Sequence, residues 1–342
     1  MLRGKFFARY GAPAVAVVAC TFTCLAISQK RLEPKTGTSK TVCLFDREID
    51  PNLKAIVNEL FSNKPSRLLG EQVIDSAFYN AIHNAQFTIC EDKVWDVVTL
   101  PRDPPLVVFD SDFLKLLTQE SQTLILGQYL SSEYSNVGTL DLHAALMRHV
   151  LELNLKRQAQ VATLAQVVNE VVGAPTDISK YLRDEKFSER VQLMALETFH
   201  FLILHEFCHI YAGDVQRRQA VESMADSVVA QGTPKEAMRV RIEREADSCA
   251  IGIIGRDEAR FKSAPTSFIS AFLVASTQSV FESIQPPKQG GATHPSPPER
   301  LTNAYEMNLK LVEGWPNAAR YRVTLDGLYQ HFLKITPRKE PS

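Results

Sequence analysis

The sequence has few of the residues that define small disulfide scaffolds or nucleic-acid-binding domains. Only six of its 342 residues are cysteine and none of them forms a C-x-x-C pair, which excludes a disulfide-rich scaffold and a zinc knuckle of that type. The 38 basic and 39 acidic residues leave a formal net charge of −1, and no dense Lys/Arg stripe with interleaved aromatic residues is present. We therefore expect no nucleic-acid partner.

Long uncharged runs are also scarce, and the most prominent one is N-terminal. Residues 12–28 carry no charge and follow a segment with three basic residues and no acid, which is typical of a secretory signal peptide or a signal anchor. Because 17 residues are at the lower limit for crossing a bilayer, cleavage, lipidation at Cys20 and retention as an anchor stay open, as does a buried helix of the main fold. We predict a signal peptide or anchor over 1–28, a polar tether over 29–42, and a membrane-anchored or secreted protein on the extracytoplasmic (periplasmic) side.

The remaining chain predicts an α+β fold that is predominantly α. Its composition, 45% hydrophobic and 23% charged, is that of a globular protein, and we expect one domain over 43–335 with a flexible tail at 336–342. Helical spacing of apolar residues dominates, and it includes a block of helices at 119–200. Three short runs have the composition of β-strands and predict a small antiparallel sheet: residues 86–90, 94–99 and 105–109.

Four cysteines lie in this predicted domain. Cys43 and Cys90 flank its start and can pair in an oxidising compartment. Cys208 and Cys249 lie in apolar helical segments, and we expect them to be inert buried thiols.

An H-E-x-x-H motif, His205-Glu206-Phe207-Cys208-His209, lies in the most apolar helical stretch. On a helix, residues four apart share a face, so both imidazoles can bind one ion while Glu206 reaches a ligand in the open position of that ion. A chance motif in a structural helix is the alternative. A helix that is apolar nearly all round favours the metal site, because buried polar groups are costly unless they are paired or bound to metal. We expect the helix to end near Gly213, since glycine readily adopts the left-handed conformation that closes helices.

A catalytic zinc ion needs a third protein ligand. No histidine occurs between Tyr211 and Gln219, so we expect a carboxylate from a later helix. Glu243 and Asp247 are four residues apart and share a face, so Glu243 can bind the ion while Asp247 accepts a hydrogen bond from a ligand histidine. Glu245 projects away from that face. The alternative for this segment is a solvated charged helix surface.

The order of three motifs resembles a known family. The H-E-x-x-H motif is followed by Gly213-Asp214, then by Glu243-x-x-x-Asp247-x-x-Ala250, and then by His294-Pro295 with Arg300. Over about residues 199–301 this pattern resembles the gluzincin metallopeptidases related to the CAAX prenyl protease and the bacterial heat-shock membrane protease. The helical block at 119–200 departs from that family, and the multiple membrane spans are missing, so the resemblance is to single-anchor or periplasmic members and does not imply prenylated substrates. A more distant resemblance to other H-E-x-x-H proteases, such as the phage-exclusion peptidases, stays open.

The resemblance implies a zincin-like metallopeptidase with a central H-E-x-x-H helix and one Zn²⁺ per chain. It implies zinc-dependent hydrolysis of peptide bonds in protein or peptide substrates, in envelope-associated proteolysis or protein quality control. The alternative is a catalytically silent, metal-containing binding or chaperone-like protein at the membrane. The implied site consists of His205, His209 and Glu243 as ligands, Glu206 as the base that takes a proton from water, Asp247 behind a ligand histidine, and His294 with Arg300 near the substrate or its oxyanion.

Overall fold

The computed structural model describes residues 42–43, 59–91, 97–100, 103–134, 138, 143–145, 164–223, 234–261, 270–275, 278, 295–315 and 317–335. The predicted N-terminal segment at 1–28, most of the tether at 29–42 and the tail at 336–342 lie outside these ranges. Among the helices that the structure describes, none has both the length and the apolar character needed to cross a membrane.

Helices make up most of the described chain, which confirms the predicted α+β, mainly helical class. The elements in chain order are β1 (Val42–Cys43), a π-helical turn (Glu59–Asn63), α1 (Lys64–Gly70), α2 (Ser76–Ile82), β2 (Gln86–Glu91), β3 (Val97–Leu100), β4 (Leu106–Asp110), α3 (Ser111–Glu133), α4 (Leu164–Val172), α5 (Ser179–Leu182), α6 (Glu185–Ala212), α7 (Asp214–Glu222), α8 (Pro234–Phe261), α9 (Pro297–Val312) and α10 (Ala318–Ile335).

The sheet has the strand order β1-β2-β4-β3 and is mixed, whereas the sequence predicted antiparallel pairing throughout. Strands β1 and β3 pair antiparallel with their neighbours, but β2 and β4 run parallel. The difference arises because β4 returns between β2 and β3, where it is flanked by a strand on each side and its Val107 and Phe109 are buried. In the β1–β2 register, Cys43 lies directly opposite Cys90.

Helix α6 is the long central helix that carries the H-E-x-x-H motif. The Asp184 side chain accepts a hydrogen bond from the Lys186 amide at its start, and Gly213 ends it with φ 66°, as the sequence predicted. The helix contacts α3, α8 and strand β3, and its side chains are buried on all faces over most of its length. Because α6 begins at Glu185, part of the predicted helical block at 119–200 is the first half of this helix.

An aromatic cluster holds the sheet against α6. The ring of Phe61, in the π-helical turn, lies 5.1 Å from Phe87 of β2, 6.0 Å from Phe109 of β4 and 4.9 Å from Phe207 of α6, measured between centroids. The contacts with Phe109 and Phe207 are edge-on, an arrangement that aromatic rings favour. Phe207 lies between the two histidines of the motif, so this cluster fixes the position of the motif relative to the sheet.

Two histidines are buried together away from the motif. His143 Nδ1 lies 3.5 Å from His331 Nε2, and both rings contact Phe332. Burial, with a smaller contribution from the charge of His331, lowers the pKa of His143 from 6.5 to about 3. The folded protein therefore holds His143 as a neutral ring at neutral and mildly acidic pH.

This buried histidine predicts a loss of stability in mild acid. The unfolded chain takes up a proton at His143 near pH 6.5 and the folded chain does not until about pH 3, so the contribution of His143 to stability falls as the pH drops through 6.5. Between pH 7.0 and 5.5, we expect wild type to lose about 1 kcal/mol more unfolding free energy than His143→Leu in urea titrations. A His143→Leu curve that is parallel to wild type would contradict this account.

Candidate metal centre

The structure brings the three predicted ligands together. His205 and His209 lie one turn apart on α6, with their Nε2 atoms 3.0 Å apart. Glu243 approaches from α8, with Oε2 at 3.3 Å from Nε2 of His205 and Oε1 at 3.5 Å from Nε2 of His209. All three side chains are almost completely buried.

These separations fit a tetrahedral zinc ion. With ligand atoms about 2.1 Å from the ion, a tetrahedron places neighbouring ligand atoms about 3.4 Å apart. The two Nε2 atoms are 3.0 Å apart, and a Glu243 oxygen lies at a similar distance from each of them, Oε2 at 3.3 Å from His205 and Oε1 at 3.5 Å from His209. Two imidazoles and one carboxylate are also a ligand set of known catalytic zinc sites.

Glu206 is the second carboxylate beside the histidines, with one donor atom each of His205, Glu206 and His209 within 4.8 Å of one another. Its Oε2 accepts a 2.6 Å hydrogen bond from Oγ1 of Thr99 in strand β3. Burial raises the pKa of Glu206, against the opposing effects of the two histidines and Thr99. Thr99 was not predicted, because the two residues are 107 positions apart and meet through the packing of β3 on α6.

Each histidine also has a carboxylate on its far nitrogen. His205 Nδ1 lies 2.8 Å from Oδ1 of Asp247, and His209 Nδ1 lies 2.8 Å from Oδ2 of Asp214. Such pairs hold the Nδ1 proton and leave Nε2 as the ligand atom. Asp247, predicted behind a ligand histidine, lies against Nδ1 of His205. The second pair was missed, although the turn at Gly213 is the local signal that returns Asp214 towards His209.

These carboxylates dominate the electrostatics of the ligand histidines. Burial lowers the pKa of His209, but the carboxylates of Asp214 and Glu243 outweigh it and raise that pKa to about 9. Burial acts the same way on His205, where Asp247 makes the largest opposing contribution, and the net pKa is again raised. The site therefore favours a positive charge at the two Nε2 atoms.

Arg300 lies behind Asp247 and is buried. Its Nε and one terminal nitrogen donate to the two oxygens of Asp247 at 2.8 and 2.7 Å, and its other terminal nitrogen donates to Gln278 at 3.0 Å. Burial raises the pKa of Asp247, but Arg300 and His205 outweigh it and lower that pKa to about 2. Two of the hydrogen bonds of Arg300 thus go to the acid that lies against His205. His294 lies outside the described residues, so its predicted placement near the substrate stays a prediction.

Two further arginines, from α7, lie around the ligands and were not predicted. Arg218 donates to Glu243, and the same nitrogen lies 3.2 Å from Nε2 of His209. Arg217 donates to Oδ1 of Asp214 at 2.5 Å and to Glu245 at 2.7 Å. Glu245 is 48% exposed and lies outside the cluster, as its position on the helix predicted.

A disulfide joins the two helices that carry the ligands. Cys208 and Cys249 are bonded, with their Cα atoms 6.1 Å apart, so the prediction of two inert thiols was wrong. The pairing follows from the contact between α6 and α8, which brings the residue before His209 within the Cα distance that disulfides require. Sequence could not show this contact, because the two cysteines are 41 residues apart.

Removing the disulfide should weaken both the fold and the site. The chain-entropy model assigns about 4 kcal/mol to a cross-link that closes a loop of this length. For Cys208→Ala/Cys249→Ala we therefore expect a lower urea midpoint and weaker zinc binding, measured by competition with a chelator. Wild type treated with a reducing agent should show both losses, and the double variant should not respond to it. Equal stability and zinc affinity in all forms would contradict the structural role of the bond.

Metal analysis of single variants tests the ligand set. Glu243→Ala should lose stoichiometric zinc in elemental analysis, whereas Asp247→Asn should bind zinc about 10- to 100-fold more weakly, as expected for a residue behind a ligand. Glu245→Ala is the matched control, because it removes an exposed acid from the same helix, and it should keep its zinc. Full retention of zinc by Glu243→Ala would exclude that residue as the third ligand.

One comparison with known proteins gave a match. Residues 156–314, just under half of the chain, match the family model described as Peptidase U49. No curated protein and no solved structure matches the chain. The matched range contains α6, α7 and α8 and every described residue of the cluster except Thr99. The chain is therefore similar to a peptidase family over the segment that forms the candidate metal centre, which supports a peptidase.

Proposed function

We propose that the protein is a zinc-dependent peptidase that hydrolyses peptide bonds in protein or peptide substrates. The observation that carries the proposal is the convergence of His205, His209 and Glu243 at separations that fit tetrahedral zinc, with Glu206 beside them. The peptidase family match over the same segment supports it. The expected content is one Zn²⁺ per chain.

Glu206 is the proposed general base. When bound, zinc supplies a Lewis acid and a water whose pKa is lowered to about 7. Glu206 would take a proton from the attacking water and later give it to the leaving amine. A carboxyl group whose pKa is raised by burial suits both steps, because it can hold the proton between them.

The surrounding charges are proposed to keep the ligand histidines in place. Asp247 and Asp214 lie against Nδ1 of His205 and His209, and each acid is itself bound by an arginine. This geometry favours a positioning role for Arg300 through Asp247 over the contact with substrate that the family resemblance implied. His294 is proposed to stabilise the oxyanion.

The substrate is proposed to bind along the edge strand β3. This strand pairs with β4 on one side and lies at the end of the sheet, among the strands that the structure describes. An extended peptide can add to such an edge through main-chain hydrogen bonds, which do not depend on sequence. Because β3 contacts α6 and reaches Glu206 through Thr99, a peptide bound there would pass beside the metal centre.

The proposal places the protein outside the cytoplasm, held at the membrane by residues 1–28 or secreted, in proteolysis or quality control of envelope proteins. The disulfide between Cys208 and Cys249 supports this location, because such bonds persist in oxidising compartments.

Glu206→Gln tests the mechanism. The amide keeps the size of the side chain but does not accept a proton, so we expect normal zinc content and a fall of about 10²- to 10⁴-fold in kcat on fluorescent casein or a peptide library. Glu185→Gln is the control, because it lies at the start of the same helix, about 30 Å away, and should keep full activity. Unchanged cleavage by Glu206→Gln would exclude the proposed base. Zinc-loaded wild type that cleaves none of these substrates would favour the silent, binding alternative.

A further inference from the structure

Thr99 joins the edge strand to the proposed base, and its position in β3 explains how. Val97 and Thr99 are two residues apart and therefore share a face of the strand, on which Val97 is buried. From that face, Thr99 donates from Oγ1 to Oε2 of Glu206 at 2.6 Å. This is a hydrogen bond between a hydroxyl group and a buried carboxylate, a class that is stronger than neutral pairs.

The same strand offers its backbone to a peptide. In an edge strand, alternate residues direct N–H and C=O groups away from the neighbouring strand, and a peptide that pairs with them lies about 4.8 Å away. Only β4 pairs with β3 among the described strands. Thr99 therefore belongs to the backbone that would bind the peptide, while its side chain holds the base.

We propose that Thr99 is a positioning residue that fixes Glu206 relative to the peptide bound on β3. The inference rests on the proposed peptidase function. A free glutamate side chain has several rotamers, and a hydrogen bond to Oε2 selects one of them and leaves Oε1 to accept the proton. Thr99, the donor, is part of β3, to which the peptide would bind. The hydrogen bond from Thr99 to Glu206 therefore sets the distance between the carboxylate and the backbone of the bound peptide.

Steady-state kinetics test this role. Thr99→Val has the same shape without the donor, and we expect kcat to fall about 10- to 100-fold, which corresponds to the loss of one charge-assisted hydrogen bond, while KM changes little. Thr99→Ser restores the hydroxyl and should recover most of kcat. Thr88→Val is the matched control, because Thr88 is buried in β2 and its hydroxyl has no hydrogen-bond partner within the described part of the chain. It should behave as wild type. A Thr99→Val enzyme with wild-type kcat overturns the role of Thr99.

Thermal unfolding tests the contact without chemistry. Thr99→Val should lower the Tm of the wild-type protein, because it leaves a buried carboxylate with one hydrogen bond fewer. In a Glu206→Ala background there is no carboxylate to lose, so the same substitution should leave the Tm unchanged. Equal shifts in both backgrounds overturn the inference.

The two measurements separate failure of the inference from failure of the proposed function. Wild type that binds zinc but cleaves no peptide overturns the peptidase proposal and the kinetic role of Thr99 with it, whatever the unfolding cycle shows. Wild type that cleaves peptides, together with a Thr99→Val variant of unchanged kcat and normal zinc content, overturns the inference about Thr99 alone.

Discussion

The contact between α6 and α8 is the constraint on which the candidate site depends. The contacts of Glu243 with both histidines, the contact of Asp247 with His205 and the disulfide all cross this one interface. A shift of one residue along a helix is about 1.5 Å, which is enough to lose separations of this kind. The interface is also buried, so a polar group that lost its partner there would not regain one from water. The positions of the ligands are therefore set by helix packing as much as by their own side chains.

Four carboxylates are buried around the two histidines, and their negative charge requires compensation. The four acids differ in whether a basic side chain supplies it. Among the described residues, three of the four have an arginine partner: Asp247 with Arg300, Asp214 with Arg217, and Glu243 with Arg218. The fourth, Glu206, has no arginine or lysine partner there and accepts its hydrogen bond from the hydroxyl of Thr99. An arginine partner favours the ionised form of an acid, whereas burial without one favours the protonated form. This difference supports the proposal that Glu206 is the acid that gains and loses a proton, since burial raises its pKa.

The parts of the site that sequence predicted are those encoded by local spacing. The H-E-x-x-H helix, its end at Gly213 and the shared face of Glu243 and Asp247 all follow from helical periodicity and from the conformational freedom of glycine. The parallel pairing of β2 with β4, the Cys208–Cys249 bond and the contact of Thr99 with Glu206 join segments that are distant in sequence. A single sequence carries no signal for which of its segments pack together, so these features required the structure. The family resemblance supplied the order of the motifs, but not the position of Arg300 behind Asp247.

The segment from His205 to Arg218 is compact because of one turn. Gly213 has a positive φ of 66°, a conformation that costs other residues about 1 kcal/mol or more, and α7 starts immediately after it. This turn brings Asp214 to His209 and leads into the arginines of α7, so most of the cluster belongs to one continuous stretch of chain. Glu243 and Asp247 come from α8, which the disulfide fixes to α6, and Thr99 and Arg300 come from β3 and α9. A bound metal would join the same two helices, so the covalent bond and the ion would reinforce one interface, and the bond would hold the ligands in place before the metal binds.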